Sequence, residues 1–318
     1  MKYIKDIREG DSVSGIYLCR KKEVGKKKSG DDYFALTLTD KTASVDGKIW
    51  NTNNQGIAEF DSGDYIYIEG TTNTFNQRLQ IIINRLRKCN EGEYDPADYV
   101  PSTGKNVNGM CTELADIIKT VKNPWLKKLL DAVFVEDKAV AKAFSERSAA
   151  KQIHHAFRGG LLEHTLSVTK LCDGFAANYP ILNRDVLVTS AMLHDIGKIR
   201  ELSALPENDY TDEGQLLGHI YMGAEYVGKK IDGIEGFPQK LRNEIQHCIL
   251  AHHGKLEYGS PKKPALAEAL ALSFADELDA KMETMGELFG TAVSDEGWLG
   301  YQKNFESNVR KTGKYEQE

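Results

Sequence analysis

The stretch DYFALTLTDKTASVDGKIW, residues 32–50, alternates between two kinds of side chain. Phe34, Leu36 and Leu38 fall on one side of an extended chain, with Tyr33, Ala35, Thr37 and Thr39 on the other. After a polar break, Val45 and Ile49 take one side and Lys48 and Trp50 the opposite one. A period of two belongs to a half-buried strand, and the stretch predicts two of them. Moving outward, DYIYIEG (64–70) offers Ile66 and Ile68 inward with Tyr65 and Tyr67 outward, and RLQIIINRL (78–86) adds a further run. Turn-forming clusters separate the segments: KSGDD, NTNNQG, DSGD and TNTFNQ. These four runs, with a fifth short strand in the same stretch of about 80 residues, fit a small closed barrel of the OB type, with an SH3-like barrel as the alternative. The barrel is expected over residues 1–90.

Residues 91–108 lose periodicity and gather Pro, Gly, Asn and Asp, which reads as a linker. From 109 to 318 the pattern is helical: MCTELADIIKTV, PWLKKLLDAVF with proline in its first turn, DKAVAKAFSERSAA, LLEHTLSVTKLCDGFAANY, RDVLVTSAMLHDIGK, LGHIYMGAEYVGKKI, PQKLRNEIQHCILAHHG and PALAEALALSFADELDAKM. The expected architecture is therefore a five-stranded barrel followed by an all-α bundle. At 318 residues, 41% hydrophobic and 28% charged, the composition is that of an ordinary globular protein. The N-terminus MKYIKDIREGD has no apolar core of a secretory signal, and no apolar run reaches the roughly 18 residues of a membrane span. Five scattered cysteines without a CxxC pair point to reduced thiols, so a cytoplasmic protein with no membrane partner is expected. Net charge is −6, but residues 1–90 hold 15 Lys+Arg against 12 Asp+Glu, a balance of +3, while the remainder carries −9. The barrel is the part electrostatically suited to nucleic acid.

All eight histidines lie between residues 154 and 253. In chain order the polar groups set into otherwise apolar helices are His164, the pair His194–Asp195, His219, the pair His252–His253, and Asp276, with Asp279 as a rival to the last. One such histidine is ordinarily a structural hydrogen-bonding group. Burying the whole set without a cation leaves several polar groups unpaired at about 1–3 kcal/mol each. A divalent ion removes that cost, because neutral imidazole and carboxylate are its usual ligands.

The ordered set His164 … His194–Asp195 … His219 … His252–His253 … Asp276 resembles the signature of HD-domain metal-dependent phosphohydrolases in their two-metal form. The resemblance implies that Asp195 bridges two ions. It gives His164, His194 and Asp276 to the first ion, and His219, His252 and His253 to the second. Members with a third ion carry a glutamate four residues before the first histidine, where this chain has Gly160. Two ions about 3.5–4 Å apart suit phosphodiester hydrolysis, since they acidify a water for in-line attack and take up phosphoryl charge. The resemblance places Lys198 near the phosphate as a second catalytic group beside Asp195. It favours Mn²⁺, and the donor set does not exclude Fe, Co, Zn or Mg. In HHAFRGGLLEHT (154–165), His154, His155 and Arg158 are candidates to reach a phosphate or base; a tight interhelical turn at the glycines is the structural alternative.

On the barrel, Tyr33, Thr37, Lys48 and Trp50 share an outward surface on the second and third strands, the face OB-folds use for single strands. Adjoining stretches read as loops, RKKEVGKKK (20–28) and NTFNQR (73–78), add Lys26, Lys27, Phe75 and Arg78. Aromatics among cations suit base stacking with backbone neutralisation. The barrel, GGLLEHT, LHDIGK, GH, AHHG, ADELDA and the tail YQKNFESNVRKTG together resemble the YhaM family of bacterial 3′→5′ exoribonucleases over essentially the whole chain. That resemblance implies digestion of single-stranded RNA, and of single-stranded DNA, from the 3′ end to nucleoside monophosphates; separately, the open two-domain architecture leaves room for a homo-oligomer to form a channel around the strand. Two other readings compete. One is an HD phosphohydrolase of small nucleotides or cyclic dinucleotides, whose GYP element is missing after HHG, where KLEYGSPKKP stands. The other is a non-catalytic nucleic-acid-binding factor.

Overall fold

A computed structural model of the chain describes every residue except 1, 28, 76–77, 96–97, 101, 152–156, 206, 292–296 and 314–318. Strands β1 (Ser12–Lys26), β2 (Asp32–Thr39), β3 (Ser44–Ile49), β4 (Tyr65–Phe75) and β5 (Arg78–Lys88) close a barrel in the order β1-β2-β3-β5-β4. All neighbours are antiparallel except β3 and β5, whose parallel pairing closes the barrel. Strand β1 serves both edges. Ser12–Leu18 pairs with β4, and after an irregularity between Cys19 and Lys21 the chain runs on along β2 to Lys26. This bulged, shared first strand and the parallel β3–β5 closure give the OB arrangement rather than the SH3-like one. Leu36, Leu38, Val45, Ile49, Ile66, Ile68, Ile81 and Ile83 fill the interior, as alternation requires. Phe34 is only half-buried, at the rim, where its ring meets Phe60 edge-on at 6.1 Å.

Two stretches expected to be loops are strand. Arg20–Lys26 pairs with β2 from Lys21↔Thr37 to Lys26↔Asp32. Asn73–Phe75 and Arg78 belong to the β4–β5 hairpin. Both lie at barrel rims where neither face meets the core, so no apolar alternation marks them.

The span after the barrel carries tyrosines that dock on it. Tyr94 stacks on Tyr65 at 3.7 Å, and Lys41 pairs with Asp98 at 2.5 Å. At its far end Thr103 N–H donates to the Arg158 carbonyl. The helical part follows as α1 (Val107–Thr120), α2 (Pro124–Asp131), α3 (Lys138–Glu146), α4 (Gly160–Asn178), α5 (Arg184–Leu193), α6 (Lys198–Glu201), α7 (Asp212–Asp232), α8 (Gln239–Ala251) and α9 (Ala267–Thr291). Side chains of Asn106, Asn123, Asp137, Asn183 and Thr211 accept from first-turn N–H groups and fix where α1, α2, α3, α5 and α7 begin. Every residue of α5 from Val186 to Leu193 is buried, which makes it the central helix, packed on α2, α4, α8 and α9. A two-stranded hairpin, β6 (Gly297–Gln302) with β7 (Ser307–Lys311), follows α9. It is an addition to the all-α pattern expected for this half. Among the described residues no helix is long and apolar enough to cross a membrane.

Candidate metal centre and nucleic-acid face

Five elements bring seven side chains to one point. His164 comes from the second turn of α4, and His194 and Asp195 from the turn that leaves α5. His219 comes from α7 just after its backbone leaves helical geometry at Gly218, and His252 and His253 from the end of α8. Asp276 lies in the third turn of α9. They fall into two groups, His164–His194–Asp276 and His219–His252–His253; within each, one ligand atom per residue lies within 4.8 Å of the others. Asp195 stands between them. Its Oδ2 is 3.5 Å from His164 Nε2 and 3.4 Å from His194 Nε2, while its Oδ1 is 3.5 Å from His219 Nε2 and 3.6 Å from His252 Nε2. Asp276 Oδ1 completes the first group at 3.1 Å from His164 Nε2.

All five rings are turned the same way. The Nδ1 atoms face acceptors: Asp279 for His164 (2.7 Å), the Ala191 carbonyl for His194 (2.7 Å), Glu201 for His219 (2.9 Å), and the Ile249 and Tyr258 carbonyls for His252 and His253 (2.7 Å each). A carbonyl or carboxylate can only accept, so Nδ1 carries the proton and each Nε2 turns its lone pair to the centre. Asp279 is thus the orienting carboxylate of His164, and it also accepts from Ser167 Oγ. Sequence reasoning missed Glu201. One of its oxygens accepts hydrogen bonds from both the Nδ1–H and the backbone N–H of His219, each at 2.9 Å.

Burial lowers His164, but Asp276 and Asp279 more than offset it and raise the imidazole to about 9, so this ring gives up a proton when a cation enters. Burial alone would raise Asp195, but Lys198, 2.6 Å from Oδ2, and the surrounding imidazoles hold its carboxyl well below the usual range. Burial pulls Lys198 down and Asp195 more than restores it, so the ammonium is kept. His252 is depressed by burial and by His253, which keeps it neutral. Asp276 is pulled below its ordinary value, against burial, by His164. Asp195 Oδ1, His219 Nε2 and His252 Nε2 are buried and have no hydrogen-bond partner among the described residues. Two ring nitrogens that face one carboxylate oxygen from 3.5 and 3.6 Å fit a cation between them.

Close backbone packing sets this geometry. A Cβ on Gly197 would lie 2.1 Å from the His219 carbonyl oxygen and 2.7 Å from the Gly223 nitrogen. The turn bearing Asp195 therefore rests directly on α7.

The nucleic-acid candidates divide. Tyr33 and Trp50 lie ring to ring at 5.0 Å, with Lys48 Nζ 5.4 Å over Tyr33, on the outward face of β2 and β3 beside half-buried Thr37. Lys26 is at the end of β1, paired with Asp32 at 2.6 Å, and Lys27 follows it. Phe75 and Arg78 face each other across the β4–β5 hairpin, and Phe75 is exposed. By register Arg78 is level with Ser44, four residues and about 13 Å along β3 from Lys48. Arg158 is engaged by Glu146 at 2.8 Å, in the turn leading to α4. His154 and His155 lie outside the described residues.

Comparison with known proteins follows the same division. A profile of the HD domain matches residues 161–281, and a profile described as an OB-fold nucleic acid binding domain matches residues 19–88. The 3′-5′ exoribonuclease YhaM of Halalkalibacterium halodurans is 32% identical over 279 residues, 87% of this chain and 85% of that protein. Among solved structures, the HD domain of the phosphodiesterase PgpH of L. monocytogenes is 18% identical over 51% of this chain and 74% of that one, with a TM-score of 0.26. The second OB-fold domain of replication protein A from Methanococcus maripaludis is 19% identical over 30% of this chain and 98% of that one, with a TM-score of 0.22.

Proposed function

The chain belongs to the YhaM family of 3′-5′ exoribonucleases, and from that premise we propose that it shortens single-stranded RNA from the 3′ end to nucleoside 5′-monophosphates and accepts single-stranded DNA as well. The observation that carries the reading is Asp195, whose two buried oxygens each face two histidines of a separate three-residue group. His164, His194 and Asp276 would hold one divalent ion and His219, His252 and His253 a second, with Asp195 available to both; Mn²⁺ is the ion we favour. Bound there, the ions supply an acidified water as nucleophile and neutralise the phosphoryl oxygens. The chain's own groups do the rest. Five oriented imidazoles and the two carboxylates keep the ion sites rigid, and Lys198, protonated beside Asp195, adds positive charge where phosphoryl charge grows.

In this reading residues 1–90 hold the strand, 91–108 connect, and 109–318 cut. Tyr33, Trp50 and Phe75 stack on bases, and Lys26, Lys27, Lys48 and Arg78 follow the backbone. Five free cysteines are in keeping with a reducing cytoplasm. The test is 5′-labelled single-stranded RNA incubated with Mn²⁺ or EDTA, beside Asp195→Ala. A Mn²⁺-dependent ladder shortening from the 3′ end and missing in the variant is expected. Intact RNA in every lane, with a small phosphodiester still hydrolysed, would turn the centre over to a smaller substrate.

A further inference from the structure

The β6–β7 hairpin lies outside both the barrel and the ligand-bearing helices, and its two faces differ. Val309 is buried and Leu299 half-buried, so that side packs on the protein. On the other side Trp298 is 69% and Tyr301 64% exposed. Residues three apart on a regular strand point to opposite faces. Here they do not, because the pairing slips between them: Trp298 faces Arg310 and Tyr301 faces Asn308, so three steps on β6 match two on β7. The extra residue is accommodated at Gly300, at φ +79°, a left-handed conformation that suits a bulge. The outcome is a single outward face of Trp298, Arg310, Tyr301 and Asn308, with the Arg310 guanidinium 6.0 Å over the Trp298 ring.

A fold that spends a bulge to aim two large aromatics into solvent beside a guanidinium has made a stacking platform. Residues 297–313 hold Lys303, Arg310 and Lys311 against Glu306 alone, in a half of the chain that is otherwise strongly acidic. The local charge therefore complements a polyanion. Lys311 also sits 5.9 Å over the Phe289 ring at the end of α9, the helix that carries Asp276 thirteen residues, about 20 Å, earlier. The hairpin thus touches the far end of the helix that carries Asp276. We propose that this face is a second single-stranded RNA contact, separate from the barrel, on which bases of the strand stack between Trp298 and Tyr301 while Arg310 and Lys303 meet phosphates. The proposal rests on the exoribonuclease reading for its choice of occupant.

The test uses the full chain in EDTA, so that binding is read without cutting, with a fluorescein-labelled single-stranded RNA of about 20 nucleotides as probe. Alanine at both Trp298 and Tyr301 should raise Kd about 10-fold or more, with Trp298→Phe keeping most of the affinity. Arg310→Gln should flatten the slope of log K against log salt by about 0.7, one phosphate contact on a single strand. Hydrolysis of bis(p-nitrophenyl) phosphate with Mn²⁺ and the particle mass in solution should stay as in the unsubstituted protein. Unchanged RNA affinity in the double variant overturns the proposal. So does a change in particle mass, which would assign the face to contact between protein copies. Failure of the unsubstituted protein to cut RNA while it hydrolyses the small diester is a separate result, and it overturns the exoribonuclease reading itself.

Discussion

Glu201 shows how much of a metal centre resides in groups that touch no metal. One oxygen accepts two hydrogen bonds from the same residue, from the ring Nδ1–H and the backbone N–H of His219, so a single buried carboxylate sets both the tautomer and the position of that ligand. Glutamine offers the same carbonyl oxygen without the charge; alanine offers nothing. We expect Glu201→Ala to weaken metal binding at the His219 side by about 10- to 100-fold, and Glu201→Gln to retain most of it, measured by competition with a chromophoric chelator. Equal losses in the two variants would reduce Glu201 to a packing residue. At this scale the sequence was legible where chemistry repeats in order: Asp195 and the six residues around it stand out as polar interruptions of apolar helices. It was silent on their orienting partners. Two of those are main-chain carbonyls one turn back, at Ala191 and Ile249, and a carbonyl has no letter of its own. Asp279, quoted from the sequence as a rival to Asp276, proves to be its complement, one turn on and bonded to the other nitrogen of the same ring.

Elements succeed or fail here by whether their residues meet a core. The interior strands carry a period of two because one side of each is buried, and they were readable for that reason. Arg20–Lys26 and Asn73–Phe75 extend beyond the filled part of the barrel, so lysine, asparagine and glycine stand there without signal. The β6–β7 hairpin escaped for a similar reason, since its bulge breaks the alternation. The contact of α6 and its preceding turn with α7 is a different case, in which one glycine decides how two elements meet. Any side chain at position 197 drives into the His219 carbonyl and the Gly223 amide, both backbone groups that cannot swing aside. Gly197→Ala should therefore force the two elements apart, displacing Asp195 relative to His219. The expected outcome is a protein whose metal content falls by at least one ion per chain and whose Tm drops by several degrees, read by elemental analysis and calorimetry. Full metal content at an unchanged Tm would mean that the packing relaxes at no cost.

At the scale of the whole molecule the two halves were separable in the sequence by the period of their patterning, two before residue 90 and helical after 109, and by the sign of their charge. What joins them was not. The tyrosines that dock the connection on the barrel, and Arg20 on β1 donating to the Lys151 carbonyl at 2.8 Å, pair groups far apart in the chain whose letters announce nothing. The division of labour that the architecture implies can be broken from either side. Trp50 is exposed, rests against Tyr33, and touches no residue of the metal centre, so Trp50→Ala should leave the helical half as it was. Losing one stacked ring is worth about 1–3 kcal/mol, so RNA affinity should fall about 10-fold while hydrolysis of a small phosphodiester stays constant. Asp195→Ala should do the reverse, because the barrel lies outside the centre: hydrolysis of RNA and small diester alike is lost, and RNA affinity in EDTA stays within about twofold, a difference worth under 0.5 kcal/mol. Measured side by side by fluorescence anisotropy and p-nitrophenolate release, the two variants should fall at opposite corners. If Trp50→Ala slows the small diester as much as it weakens RNA, the barrel is shaping the catalytic centre rather than holding its substrate.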